Sequence, residues 1–387
     1  MHRPYARLLL AALPPLLAAA LLVACESDSG GSRTPTPAAS AAPPDKVTFM
    51  AGFKPQANLP FVGAYVAKEK GFFAEQNLEV EIQHVNTPGD NFKFLGLGQV
   101  QFSTADAATV IERAGDDPPL GIVTIALIGQ RGQQGFAVLA DSGIETPVDW
   151  AGKRAGYKGS QPTPDFLAIL NAVGVDPEDV ATVKVGFEPQ ILTEGQVDIF
   201  PVFLSNEPDT LSQLGYGVTV FEAAEFGAPT LGLTYVTTRD YLSQNPDIVL
   251  RFLKAALRGI EYARDNPNEA IDIVMQYAPQ EDRDHMRFML DTELGAAEND
   301  LTDENGIGWM TAEQWRDLHD YLVEFGGIPA PLDDVSATYD DQFIQQAYKD
   351  GEMDGRSRFS WRPGPRRPAC VLLVRALRPL SQGGCGA

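Results

Sequence analysis

Beyond its first 25 residues the chain holds three histidines, His84, His285 and His319, and its three cysteines are Cys25, Cys370 and Cys385. A zinc site needs several His, Cys or carboxylate ligands at close spacing, and neither HExxH nor a Cys pair beside a His is present. No GxxxxGK[ST] phosphate loop and no GxSxG nucleophile turn occur. Each histidine reads as a surface or helix-face residue. No carboxylate pair stands out among the 52 Asp and Glu residues, because acidic helix faces are usually solvated. The chain is therefore read as a non-enzyme, without a metal or a resident cofactor. Its chemistry gathers instead in segments that mix rings with amides, carboxylates and hydroxyls, at 53–61, 103–106, 130–134, 157–160, 187–188 and 205–207.

Strands must aim those segments. Residues 46–52 read as a strand, and 60–73 has helical spacing with Phe61, Ala64, Tyr65 and Phe72 on one side. At 78–85, Leu78, Val80 and Ile82 alternate with Glu79, Glu81 and Gln83, the period of a strand. A short helix at 90–97, a strand at 101–104, a helix at 106–114 and a buried strand at 122–128 complete a first series. The second has strands at 136–140, 154–158, 182–187, 197–203 and 218–221, with helical stretches at 147–151, 164–173, 189–194 and 207–214. The β-prone 231–237 could carry the chain back, and helices follow at 241–265, 267–277, 283–294, 312–325 and 340–348. Such alternation predicts right-handed parallel α/β units in two lobes. Ligands of that architecture sit in the crevice at the carboxyl ends of strands. Each of the six segments follows a strand, so all are expected to converge on one cleft.

The chain has 387 residues and a formal net charge of −22, enough length for two domains or lobes with ample core. The acidity opposes phosphate backbones and anionic headgroups, which argues against a nucleic-acid binder or a basic membrane-surface protein. Residues 1–25 hold Arg3 and Arg7 and no acid, 351–387 hold seven Arg against Glu352 and Asp354, and 26–350 carry 21 basic and 50 acidic residues. Arg3 and Arg7 precede an apolar run at 8–23, interrupted by Pro14 and Pro15 and closing on Leu22-Val23-Ala24-Cys25. A positive start, an apolar middle and small residues at the cut describe a secretory signal. Its last four residues read as a bacterial lipobox, in which the Cys25 thiol takes the lipid. Residues 26–45, rich in Ser, Gly, Ala and Pro, read as a flexible tether. A soluble body held by lipid at the extracytoplasmic face of the cell membrane is the expectation. Between Cys25 and Cys370 there is no cysteine, so the body is expected to lack disulfides. The Arg-, Pro-, Gly- and Cys-rich 351–387 reads as a disordered or artefactual tail.

Several stretches resemble the solute-binding proteins of bacterial importers. Gly63-Ala64-Tyr65-Val66-Ala67-Lys68-Glu69-Lys70-Gly71-Phe72-Phe73 is similar to the first helix of that family. Asp149-Trp150-Ala151-Gly152-Lys153-Arg154 resembles the entry to its second lobe. Asn245-Pro246-Asp247-Ile248-Val249-Leu250-Arg251-Phe252-Leu253-Lys254, with Glu261-Tyr262-Ala263-Arg264-Asp265-Asn266-Pro267, resembles a later helical region. Together they span about 46–280 in the family's order. The resemblance implies a periplasmic-binding-protein type II fold, two α/β lobes joined by a hinge with a ligand cleft between them. Lobe 1 would begin at 46–140, lobe 2 occupy 141–229, and 230–350 return to lobe 1 and add the C-terminal helices.

The subgroup implied binds thiamine-precursor pyrimidines, sulfonates, nitrate or riboflavin. Segments 53–60, 129–135 and 205–209 look most like its riboflavin-binding members, whereas pyrimidine-binding members usually carry a Trp where Phe53 stands and a His near Phe61. Riboflavin is the implied ligand, a thiamine-precursor pyrimidine comes second, and sulfonate or nitrate ranks lower, since only Arg131 and Lys158 are offered to an anion. A planar heteroaromatic ring takes aromatic faces above and below and polar partners on its edge. Phe53, Phe61, Tyr157, Phe187 and Tyr235 would supply faces. Asn58, Gln130, Gln133, Asn206 and Glu207 would meet imide and carbonyl groups, and Asp106, Lys158 and Ser160, with Thr104 beside them, would meet ribityl hydroxyls. Structural alternatives stand next to these roles. Phe61 and Phe187 could be core, Asp106 an N-cap, and 158–160 the cap of the helix at 164. Segment 129–135 could be only a lobe-crossing hinge, and Asn206-Glu207 a helix start. The expected partner is an ABC permease that recognises the closed, ligand-bound monomer. Two other classes stay open: a lipoprotein enzyme acting on a pyridoxal- or histidine-derived ring, which needs a reactive His or Cys cluster in the cleft, and a sensor ectodomain.

Overall fold

The computed structural model describes residues 42–349, apart from Pro88 and Asp117. The lipobox with Cys25, most of the tether and the 351–387 tail lie outside the described residues. Among the described residues there are ten strands: β1 (Asp45–Ala51), β2 (Leu78–His84), β3 (Phe102–Asp106), β4 (Ile122–Leu127), β5 (Gln134–Leu139), β6 (Arg154–Tyr157), β7 (Ala181–Lys184), β8 (Phe200–Phe203), β9 (Val218–Glu222) and β10 (Leu233–Thr238). In β2, Leu78 and Val80 are buried while Glu79 and Glu81 face water, as expected of a strand with one face on the core. β4 is buried along its whole length.

The first sheet has the order β2-β1-β3-β10-β4, with β1 parallel to β2 and β3 and with β10 antiparallel to β3 and β4. In the second lobe, β5 pairs antiparallel with β8 and β9, and β6 pairs parallel with β7. A parallel bridge between Ala155 and Ile199 joins these two pieces. The resulting order, β7-β6-β8-β5-β9, repeats that of the first lobe. In both lobes the antiparallel strand arrives from the other one, β5 directly after β4 and β10 directly after β9. The expected parallel α/β units are present, and each lobe adds one antiparallel strand. A helical crossover returns a strand parallel to its neighbour, whereas a short extended crossing delivers it reversed.

The two crossings run side by side. Gly129 N donates to Leu233 O at 2.9 Å, Gly232 N to Gly129 O at 2.8 Å and Gly132 N to Thr230 O at 3.3 Å. A Cβ on Gly232 would stand 2.8 Å from Arg131 O, and one on Gly129 would stand 2.9 Å from Gly232 Cα. Only glycine lets two backbones approach so closely.

Helix boundaries differ from expectation at two breaks. The stretch 60–73 forms two helices, Leu59–Glu69 and Phe72–Glu75, parted at Gly71, whose φ of 78° a right-handed helix cannot hold. Likewise 241–265 divides into Arg239–Gln244 and Pro246–Asp265, since Pro246 lacks an N–H and takes the first helical position. One short helix, Asp300–Asn305, was not expected; Asn299 and Thr302 cap it reciprocally. The lobe 1 core is aromatic, with Phe102 and Phe252 stacked at 3.8 Å and Phe73 on Phe252 at 5.4 Å. A second apolar cluster joins Val110 and Ile111, Trp150 and Phe166, and Trp315 and Leu322. The helix Ala312–Glu324 therefore packs against residues of both lobes. No helix among the described residues is long and apolar enough to cross a membrane.

Candidate functional site

The helix Arg283–Ala297 buries Met286, Met289, Leu290 and Ala297, and Glu293 lies on that same stripe. Its carboxyl group, in a residue 4% exposed, accepts hydrogen bonds from Asn58 Nδ2, from Leu59 N at 2.5 Å and from Ser205 Oγ at 3.2 Å. Asn58 opens the helix Leu59–Glu69 in lobe 1, and Ser205 follows β8 in lobe 2, so one carboxyl group ties the lobes together. Asn58 Oδ1 accepts in turn from Gln56 Nε2 at 2.5 Å. Burial pushes Glu293 up to about 7; its three donors oppose that rise, and the nearby charge of Asp106 adds to it.

Beside Glu293 is a small cavity of about 10 Å³, room for about one water molecule in this form, lined also by Leu59, Pro60, Gly129, Gln133, Leu233 and Ala296. Gln133 is 3% exposed, and neither its Nε2 nor its Oε1 has a hydrogen-bond partner among the described residues. Buried amides are ordinarily paired. Asp106, at the end of β3, stands at the N-cap of the helix Ala107–Ala114 but makes no capping bond. Burial, helped by the charge of Asp165 from lobe 2, pushes it up to about 6. Burial also raises Asp165, which accepts a bond from Tyr321 Oη at 2.6 Å.

In lobe 2, Lys158 Nζ meets Glu207 Oε1 at 2.5 Å, and Glu207 Oε2 accepts from Phe203 N at 2.7 Å. The Lys158 ammonium lies 5.4 Å from the ring of Phe187, which is 59% exposed. Asn206 Oδ1 lies 3.0 Å from His285 Nε2, and His285 Nδ1 lies 2.7 Å from Asp209. This is a second polar connection between the helix Arg283–Ala297 and lobe 2. Phe53, 37% exposed, follows β1 and accepts a bond from His84 at its carbonyl. Tyr157 is half-buried at the end of β6, and Ser160 is exposed.

Four of the expected contacts serve the scaffold. Phe61 packs in the lobe 1 core, edge-on to His84 at 5.9 Å. Tyr235 is fully buried and donates to Pro60 O at 2.6 Å. Thr104 Oγ1 accepts from Gly52 N at 3.1 Å. The Gln130 amide bonds Leu127 O, Trp309 O, Asn299 and Gln314. These four corrections share one cause: residue type marks a possible ligand group, but backbone position decides whether it faces core or cleft. The cap of the helix at 164 is Thr163 rather than 158–160. Of the two readings given for them, His285 and His319 are helix-face residues, and both are buried; His319 accepts from Leu332 N at 3.0 Å and pairs with Asp320. Sequence reasoning missed Glu293, Asp165 and His285. A carboxylate on the apolar stripe Met286, Met289, Leu290 was the available signal for the first. No group of three His, Cys, Asp or Glu residues suited to a metal ion occurs among the described residues.

Solved structures give the fold. The periplasmic aliphatic sulphonate-binding protein SsuA of Escherichia coli matches with a TM-score of 0.59 at 14% identity, over 75% of this chain and 96% of that one. The fold is that of two-lobed periplasmic binding proteins. Within that architecture the chain belongs to the NMT1/THI5 like family, whose model matches residues 58–270. It is 26% identical to the riboflavin-binding protein RibY of Chloroflexus aurantiacus over 344 residues, 85% of this chain and 96% of that protein. It is 25% identical to the formylaminopyrimidine-binding protein of Halalkalibacterium halodurans over 320 residues, 80% of this chain and 93% of that one. A 4-amino-5-hydroxymethyl-2-methylpyrimidine phosphate synthase of Legionella pneumophila is 28% identical over 221 residues, 56% of this chain and 69% of that enzyme.

Proposed function

We propose that the protein is the substrate-binding component of an ABC importer and carries riboflavin between its lobes. The observation behind this reading is the buried amide of Gln133, without a partner among the described residues, at the small cavity beside Glu293. A primary amide with a free donor and acceptor fits the edge of a nitrogen heterocycle. Phe53 and Phe187, which follow strands of the first and second lobes, are exposed, rings able to cover a flat ligand. Similarity to a riboflavin-binding protein over 85% of the chain supports the choice of flavin. A second reading, a formylaminopyrimidine, is favoured by the formylaminopyrimidine-binding relative, which aligns over 80% of this chain.

The protein is read as a carrier that binds and releases without turnover, anchored outside the membrane by lipid on Cys25 and delivering ligand as a monomer to an ATP-driven permease. Titration of riboflavin fluorescence with ligand-free protein is expected to give saturable quenching below micromolar concentration, and all flavin should be recovered unchanged. No quenching, with a thermal shift by formylaminopyrimidine, assigns the second reading. Conversion of either compound overturns the carrier role.

A further inference from the structure

We propose that Gln133 and Glu293 jointly read the hydrogen-bonding edge of the ligand, and that Gln133 is a specificity-determining residue of the cleft. The inference rests on the heteroaromatic reading above and assigns its polar contacts to two groups.

Backbone and side chain of Gln133 have separate duties. Its carbonyl accepts from Leu204 N at 2.7 Å, fixing the start of β5 to lobe 2. Its side-chain amide does nothing for the scaffold: both polar atoms are buried and without partners among the described residues. Gln130, three residues earlier on the same crossing, is the internal contrast. Its Nε2 donates to Leu127 O at 2.9 Å and Trp309 O at 2.8 Å, and its Oε1 accepts from Gln314 at 3.0 Å and Asn299 at 3.3 Å. Two glutamines of one segment therefore differ by aim, one saturated by the fold and one directed at the cavity. A buried amide left without partners weakens the resting protein, and a ligand that fills both bonds removes that weakness.

The chemistry of the pair narrows what fits. Gln133 offers an N–H donor and a carbonyl acceptor side by side, the complement of an imide N–H beside C=O, or of a ring nitrogen beside an exocyclic NH₂. Glu293 lines the same cavity. It accepts another N–H when ionised and donates to a ring nitrogen when protonated, and its raised pKa makes both forms accessible near neutrality. A sulfonate or nitrate has only acceptors and negative charge to bring against that carboxyl group, so oxyanions are selected against here.

The test uses the full chain, wild type and Gln133→Met, with riboflavin, its N3-methyl derivative and formylaminopyrimidine as probes, and adds melting of the ligand-free proteins. Wild type is expected to prefer riboflavin over the N3-methyl compound by about tenfold or more. Q133M should bind riboflavin about tenfold more weakly, lose the discrimination, and melt at the same or a higher temperature without ligand. If formylaminopyrimidine is the compound bound, its affinity should fall by the same factor. Unchanged affinity in Q133M, or a melting point several degrees lower, overturns the inference and leaves the carrier reading standing. A wild type that binds neither heterocycle overturns both.

Discussion

Glu293 holds its proton longer in the folded chain than in the unfolded one, because burial raises it from 4.5 to about 7. Between those values the folded state binds more protons, so stability falls as pH rises through that window and is flat above it. A shift of that size is worth about 3 kcal/mol. Asp106 adds the same sign between 3.8 and about 6. Ligand-free protein is therefore expected to melt higher at pH 5 than at pH 8, and Glu293→Gln should flatten the upper part of the profile. A wild-type profile that rises with pH across this range would contradict the assignment. Lys158 and Glu207 make a second residue-scale case. Lys158→Met leaves a buried carboxylate with only the Phe203 N–H, at an expected cost of about 3 kcal/mol or more in urea unfolding. Removing both charges as Lys158→Met/Glu207→Leu should restore most of it. Part of this site could be read in the sequence: Asn58, Gln133, Lys158 and Glu207 stand just past strands and carry unusual polar groups. Glu293 could not be separated from the other acids without knowing which helix face is buried. Ring chemistry marks Phe61 and Tyr235 as ligand faces, but their positions make them core.

Strands were more legible than their directions. The β2 alternation and the apolar run of β4 mark both elements, since a half-buried and a fully buried strand each leave a pattern. Periodicity carries no sign, so the reversal of β5 and β10 could not be seen until their neighbours were known. The splits at Gly71 and Pro246 were visible as residues but were outvoted by apolar spacing that continues across them. At the crossings the element-scale expectation is sharp. Gly232→Ala places a methyl against Arg131 O, which forces the paired segments apart and should cost about 1–3 kcal/mol, measured as a lower melting temperature. A Gly232→Ala variant as stable as wild type would mean that the crossings are not tightly packed.

Across the whole molecule, the bonds from Glu293 to Ser205 and from His285 to Asn206 and Asp209 hold the lobes in this arrangement. A ligand that binds this form alone shifts the population toward it. At a hundred times its Kd it should stabilise the protein by about 2.7 kcal/mol, visible as a thermal shift that grows with concentration. A ligand that quenches without raising the melting temperature would instead be held by one lobe. The late return of β10 also sets a timetable for the growing chain. Lobe 2 has all five of its strands in one continuous stretch, β5 to β9, whereas in the first sheet β3 meets β4 only through β10. A chain made as far as residue 232 therefore has a gap in its first sheet, with two bare edges able to pair with other chains. The first lobe is begun early but finished only after Thr238 is available, so folding awaits contacts between residues more than a hundred positions apart.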